Sequence, residues 1–328
     1  MDLKYQYVII QGDNDYYEMM TENTKKRKEA IIINGLFDIK PVFFKKIVNK
    51  IYHFFEDKKK YGKTKILLPF MFRRKLKGDK PVCFIIWGWY ANDVKSYLGQ
   101  YLRKKYPGCK IVCRFEDIIE KMAYENIEDY RDAFDYLQSF DEGDAKKHNV
   151  DYFPSWYDSI EVIDSDTIRC SDVFFVGRAK ERFDILIQIY DYLESRGIEC
   201  LFFLVDVPEE KRVYRKNIIY SGYIPYYNVL QMVKKTKCLL EIPQEFGTSE
   251  TLRVYEAITY NKKLITNNMH IKNKDYYSEQ AILCFRELDD IDISFINADF
   301  GNLYTEEQIK RLRPIKMLEY IDAVLQNQ

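Results

Sequence analysis

Apolar and polar positions follow two rhythms along this chain. Short runs with almost no polar interruption occupy residues 7–11 (YVIIQ), 30–34 (AIIIN), 65–69 (KILLP), 82–87 (VCFIIW) and 110–114 (KIVCR), and each predicts a strand. The run at 82–87 is apolar throughout, which suits a strand buried on both faces, as in a parallel sheet covered by helices. Between these runs the spacing turns helical. Phe43, Ile47, Ile51 and Phe54 recur at three and four residues and so share one helix face. Asn92 or Asp93 is placed to cap a helix carrying Val94, Tyr97, Leu98, Tyr101 and Leu102, stopped by Pro107 and Gly108. Residues 126–137 carry another helical pattern.

The rhythm restarts after a polar stretch at 158–171. SDVFFV (171–176) ends at Gly177, a helix spans 181–196, and CLFFLV (200–205) follows. A short helix at 228–235, a strand at 238–242 and a strand ending in KLIT continue it. Residues 281–285 and 293–295 are later core pieces, and from Glu306 a helical tail is broken at Pro314. A chain of 328 residues suits two domains. The pattern therefore predicts an α/β protein of two Rossmann-like, doubly wound parallel-sheet domains, 1–165 and 166–328, facing across a cleft. The tail is of the kind that packs back on the first domain.

Composition narrows the partners. Lys and Arg total 51, as do Asp and Glu, so the formal charge is zero and no nucleic-acid partner is expected. Seven cysteines in mostly apolar surroundings read as thiols of a reducing compartment. No secretory h-region opens the chain and no run is long enough to span a bilayer, which predicts a cytoplasmic protein. Residues 58–80 mix basic residues with Phe70, Met71, Phe72 and Leu76. That mixture suits either an anionic membrane surface or a basic surface loop.

The chemistry concentrates in QEFGTSETLRVYEAITYNKKLITNN, residues 244–268. Gly247, Thr248, Ser249 and Thr251 form a turn that opens a helix, where N–H groups and hydroxyls can meet an anion. Glu250 and Glu256 add carboxylates. A diphosphate wants N–H groups and a ribose wants a carboxylate, so the stretch suits a nucleotide sugar. It equally suits an ordinary capped helix. Elsewhere Gly12 and Asp13 follow the first strand, and Asp13 is placed to act as a base. Trp87 and Trp89 offer either a platform for a sugar ring or core packing. His270 is a further cleft-lining candidate, and Asp141 reads as a cap at a strand end. Three histidines without a ligand cluster argue against a metal site, and the DSD at 164–166 sits in the linker.

Three segments carry a family resemblance: DVFFVGRAKERFDILIQIYDYLESRG, VLQMVKKTKCLLEIPQEFGTSETLRVYEAITYNKKLITNN and FDYLQSFDEGDAKKHNVDYFPSWYD. The chain resembles the GT-B fold glycosyltransferases that build bacterial capsule, O-antigen and other surface polysaccharides, most firmly over residues 135–268. The resemblance implies an N-terminal acceptor domain, a C-terminal donor domain and metal-independent, hexosyltransferase-like transfer. The donor would be a nucleoside-diphosphate sugar, with no cofactor. The acceptor would be a glycan, polyprenyl-diphosphate-linked at the inner face of the membrane. Carried over residue by residue, Arg178 and Lys180 match the basic pair that holds the donor diphosphate, with Arg182 as a substitute. Glu256 matches the glutamate that holds the ribose. The family's other glutamate falls where this chain has Thr248, and Glu250 is the nearest acid, which leaves the stereochemistry open. Two other readings share the fold: a nucleotide-sugar epimerase and a non-catalytic sugar-nucleotide-binding or scaffold protein.

Overall fold

Runs apolar at every position become parallel strands because both of their faces are covered. The structure, a computed structural model, describes residues 2–327 except 38, 40, 41, 57, 72–75, 77, 78, 122–125, 166 and 245–248. The chain divides into two units, Met1–Asp158 with Pro314–Gln328, and Ser159–Arg313.

In the first unit, β1 (Gln6–Gln11), β2 (Ala30–Asn34), β3 (Val82–Trp87), β4 (Lys110–Phe115), β5 (Tyr136–Ser139) and β6 (Asp151–Tyr152) form one sheet. Its order is β2-β1-β3-β4-β5-β6, and every pairing is parallel. Successive side chains divide between two cores. Val8, Ile10, Phe84, Ile86, Ile111 and Cys113 face one, with Val48, Tyr52 and Leu102 from the helices. Tyr7, Ile9, Cys83, Ile85 and Val112 face the other, which the C-terminal helix Pro314–Gln326 closes with Met317, Leu318, Ile321 and Leu325. Buried Asp322 of that helix accepts hydrogen bonds from the Lys4 and Tyr5 amides and, at 2.8 Å, from the Tyr7 hydroxyl. The end of the chain is thus fastened to its beginning.

In the second unit, β7 (Ser171–Arg178), β8 (Cys200–Val205), β9 (Ile218–Ser221), β10 (Thr236–Glu241), β11 (Lys263–Thr266) and β12 (Ile282–Cys284) form a second parallel sheet. Its order is β12-β11-β10-β7-β8-β9. Strand order reverses between β7 and β10 here and between β1 and β3 in the first sheet. Doubly wound sheets bind ligands beyond the carboxyl ends of the strands at that reversal.

Several elements differ from the sequence pattern. Residues 65–69 are not a strand. Lys65–Phe70 is a 3-10 helix, since Pro69 has no N–H for a ladder and buried Thr64 just before it is tied to Asp93 at 3.0 Å. Asn92 and Asp93 do not cap. They lie inside a helical run, where fully buried Asp93 accepts from the hydroxyls of Tyr52, Thr64 and Tyr97. Burial raises its pKa to about 6 despite those three donors. Residues 126–137 split into a helix, Glu128–Arg131, and the start of β5. Residues 293–295 belong to a helix, Ile293–Asn297, capped by Asp292. Asp141 does cap, accepting from the Asp144 amide at 2.9 Å. The periodic stripe of α2 (Val42–Glu56) faces outward: Phe43, Ile47, Ile51 and Phe54 are exposed, while Val48 and Tyr52 are buried. In the 58–80 segment Met71 is buried, and Phe70 and Leu76 pack on the core, so these apolar residues turn inward. Phe72 lies outside the described residues.

Candidate functional site

The second unit places its candidate residues at the strand-order reversal. Arg178 ends β7 and is exposed, with its Nε 2.9 Å from Asp206, which follows β8. Two residues on, Lys180 has φ 44, a left-handed value that a side chain rarely adopts. Its Nζ reaches Gln244 Oε1 at 2.9 Å, beyond the end of β10. Arg182 turns back toward the sheet. It donates to the carbonyls of Arg178 and Ile242 and lies 5.8 Å from the Phe175 ring centroid, and burial lowers its pKa. Arg182 therefore ties β7 to the end of β10, while Arg178 and Lys180 present the accessible cations.

Three buried carboxylates follow. Glu241 ends β10, fully buried. It accepts from the Thr251 amide at 2.9 Å and from the Thr266 hydroxyl at 2.7 Å, and burial raises its pKa. It thereby fastens the start of the helix Leu252–Thr259 to β10 and β11. Thr251 caps that helix through the Arg253 amide, so its own N–H and hydroxyl both serve the local fold. Ser249 is buried beside it, and Gly247 and Thr248 lie outside the described residues. Glu250 is buried, with Oε1 accepting from the Tyr276 hydroxyl at 2.6 Å and lying 3.4 Å from Lys274 Nζ. Glu256 is fully buried, with Oε1 accepting from Tyr226 at 2.8 Å and Arg253 at 2.6 Å.

Glu250 Oε2, Glu256 Oε2 and Arg253 Nη1 are buried without a hydrogen-bond partner among the described residues. Unmatched buried acceptors are costly and rare. Burial raises the Glu256 pKa to about 7, against the opposing pull of Arg253 and Tyr226. Glu241 was not singled out from sequence, although an acid inside the apolar run KCLLEI is a readable signal. Tyr226, Arg253, Lys274 and Tyr276 carried no such signal, because only the fold brings them to the carboxylates.

In the first unit, Gly12 and Asp13 follow β1, and Trp87 ends β3 with Trp89 just beyond. Trp87 is fully buried against Tyr17 and Trp156, so it is core and offers no platform to a sugar. Trp89 is about one-third exposed and packs edge-on to Tyr17 at 5.7 Å. A Cβ on Gly12 would lie 2.6 Å from Trp89 and 2.7 Å from Tyr17, so only glycine lets these rings close over the strand end. Gly12→Ala should therefore destabilise the unit by about 1–3 kcal/mol and displace Trp89. Urea unfolding with tryptophan emission checks this, and an unchanged midpoint would mean that the rings move away freely. Asp13 is exposed and paired with Lys45 at 3.0 Å. In the second unit, His270 is exposed and its amide donates to Asn268. Among the described residues no group of three or more His, Cys, Asp or Glu could hold a metal ion, and Asp166 lies outside them. Nor is any helix among them long and apolar enough to cross a membrane.

No family model and no curated protein matches the sequence. Solved structures match in fold. An alpha-glucosyltransferase in complex with UDP and a 13-mer DNA containing a HMU base is 11% identical, covering 95% of this chain and 91% of its own, with TM-score 0.51. UDP-GlcNAc 2-epimerase of Methanocaldococcus jannaschii, in complex with UDP-GlcNAc and UDP, is 14% identical over 96% of this chain and 99% of its own, at 0.47. TarM of S. aureus is 10% identical over 73% of this chain at 0.41, and the match spans 52%, about half, of its length.

Proposed function

We infer the function from a GT-B fold of two doubly wound parallel sheets, the fold shared with an alpha-glucosyltransferase. That neighbour also corrects one expectation. Balanced charge was read as excluding nucleic acid, yet a protein of this fold is held with DNA. Net charge sums over the whole chain and says nothing about a local surface.

We propose that the protein is a glycosyltransferase that moves a sugar from a nucleoside-diphosphate sugar to a glycan acceptor. The second unit would bind the donor and the first the acceptor. The observation that carries this reading is the set of buried, half-matched groups in the segment after β10, Glu250 Oε2, Glu256 Oε2 and Arg253 Nη1, together with the accessible cations Arg178 and Lys180 at the end of β7. Sugar and ribose hydroxyls supply donors to such carboxylates, and a diphosphate supplies acceptors to the cations. Charge develops on the diphosphate as it leaves, and preorganised cations aimed there lower the barrier. The resemblance to surface-polysaccharide enzymes supports a glycan acceptor, lipid-linked in that family. Asp13 is the proposed base if transfer inverts, and Glu250 the carboxylate nearest the family's second glutamate.

A panel of UDP- and GDP-sugars, incubated alone, with glycan acceptors and with duplex DNA, tests the proposal. Acceptor-dependent transfer to glycan, or slow donor hydrolysis, supports it. Epimerisation of the donor, transfer to DNA or complete inertness would each replace it.

Arg178→Ala and Lys180→Ala should each weaken UDP or GDP binding by about 1.5–3 kcal/mol, the value of a charge-assisted hydrogen bond. Arg178 belongs at the lower end, because a ligand must first draw it from Asp206. Calorimetric titration measures the change, and unaltered affinity in both variants would remove the pair from the donor site.

A further inference from the structure

An apolar helix face normally turns inward, and on α2 it does not. Val48 and Tyr52 seat the helix on the first sheet, and the Tyr52 hydroxyl is locked to Asp93 at 2.7 Å. At 3.6 residues per turn, Phe43, Phe44, Ile47, Ile51 and Phe54 then fall on an outward sector. They are 41% to 69% exposed. Lys46, Lys50 and His53 occupy the adjoining sector and are also exposed. Lys58, Lys59 and Lys60 extend the basic margin past the end of the helix, with Lys58 Nζ 3.9 Å from the Phe54 ring centroid. Over residues 42–66 the sequence has eight lysines against Glu56 and Asp57. Glu56 is already engaged by His53 at 2.8 Å.

We propose that this face of α2 docks the protein on an anionic phospholipid bilayer, with the Phe and Ile side chains at the acyl boundary and the lysines among the headgroups. An outward helix surface divided into an apolar half and a lysine half is what an interfacial helix requires. Two rival occupants fit less well. A second copy meeting the same face across a two-fold axis would oppose lysine to lysine. A nucleic-acid duplex would satisfy the lysines but offers nothing to cover Ile47 and Ile51. The proposed donor site belongs to the other unit.

The test is co-sedimentation of the full chain with vesicles of phosphatidylcholine alone or mixed with phosphatidylglycerol, at low and high salt. The wild type should bind the mixed vesicles only, and less at high salt. Ile47→Glu with Ile51→Glu should lower partitioning by about tenfold or more, and Lys46→Glu with Lys50→Glu by a similar factor at low salt. All four positions are exposed, so the unfolding midpoint and nucleotide binding should stay as in the wild type. Equal binding to both vesicle types, or full binding by the isoleucine variant, overturns the proposal. A dimer in solution that the isoleucine variant dissociates would assign the face to a second copy. Duplex DNA binding lost in the lysine variant, without lipid binding in the wild type, would assign it to nucleic acid.

Discussion

Asp322→Ala should lower the stability of the first unit by about 2–5 kcal/mol, because it leaves the buried Tyr5 amide and Tyr7 hydroxyl unpaired at about 1–3 kcal/mol each. The carboxylate collects the Lys4 and Tyr5 amides, the Tyr7 hydroxyl and the Gln326 amide. Its removal strands the Tyr7 hydroxyl, which is fully buried. It also removes a polar anchor of the helix Pro314–Gln326, leaving the packing of Met317, Leu318, Ile321 and Leu325 and the Tyr320 hydroxyl on Asp151 to hold it. Asp322→Asn keeps the size and some of the acceptor capacity and should cost less than half as much. Urea unfolding followed by far-ultraviolet circular dichroism measures both. A loss below about 1 kcal/mol in the alanine variant would show that the Asp322 hydrogen bonds are not needed to fasten the helix.

The second large effect concerns Glu256 and pH. Burial raises this carboxyl to about 7 in the free protein. If its ionised form accepts the ribose hydroxyls, binding must favour loss of the proton. Donor affinity should then be flat above pH 7 and fall as pH drops below it. The fall approaches tenfold per unit, roughly 100-fold by about pH 5. A nucleotide sugar suits the experiment, because its diphosphate diester does not itself titrate near neutrality. Glu256→Gln should lose affinity at high pH and show no slope at all. Calorimetry in buffers of different ionisation enthalpy would count the proton released on binding. A wild-type affinity indifferent to pH between about 5 and 8 would separate Glu256 from the ribose.

Much of this architecture is readable in the sequence. Strands such as VCFIIW and CLFFLV are buried on both faces, so their sequences carry no polar alternation and stand out from the helices. Both sheets followed from that contrast. The elements that escaped are those whose environment is mixed. β9 is an edge strand with Ile219 exposed, and its short IIYS run is bounded by polar loops. Residues 65–69 have the composition of a strand and the proline that forbids one. The candidate site was proposed from sequence for a related reason. A Gly-Thr-Ser turn before an amphipathic helix and basic residues after a strand are local signals.

Sequence by itself settled the class of fold, the place of Arg178 and Lys180 at and just after the end of a strand, the place of Glu250 and Glu256 before and within the helix that follows β10, and the cap at Asp141. It settled these because each depends on neighbours within a few residues. Tertiary structure alone decided which side of a helix or strand is covered. The periodic stripe of α2 selects Phe43, Ile47, Ile51 and Phe54, yet Tyr52 is drawn inward by Asp93, 41 residues away, and the stripe faces out. Trp87 became core because Trp156 and Tyr17 close on it. Glu256 acquired its raised pKa because the fold buries it completely, against the opposing pull of Arg253 and Tyr226. Burial and its electrostatic consequences arise from contacts between distant segments, and no local pattern encodes them.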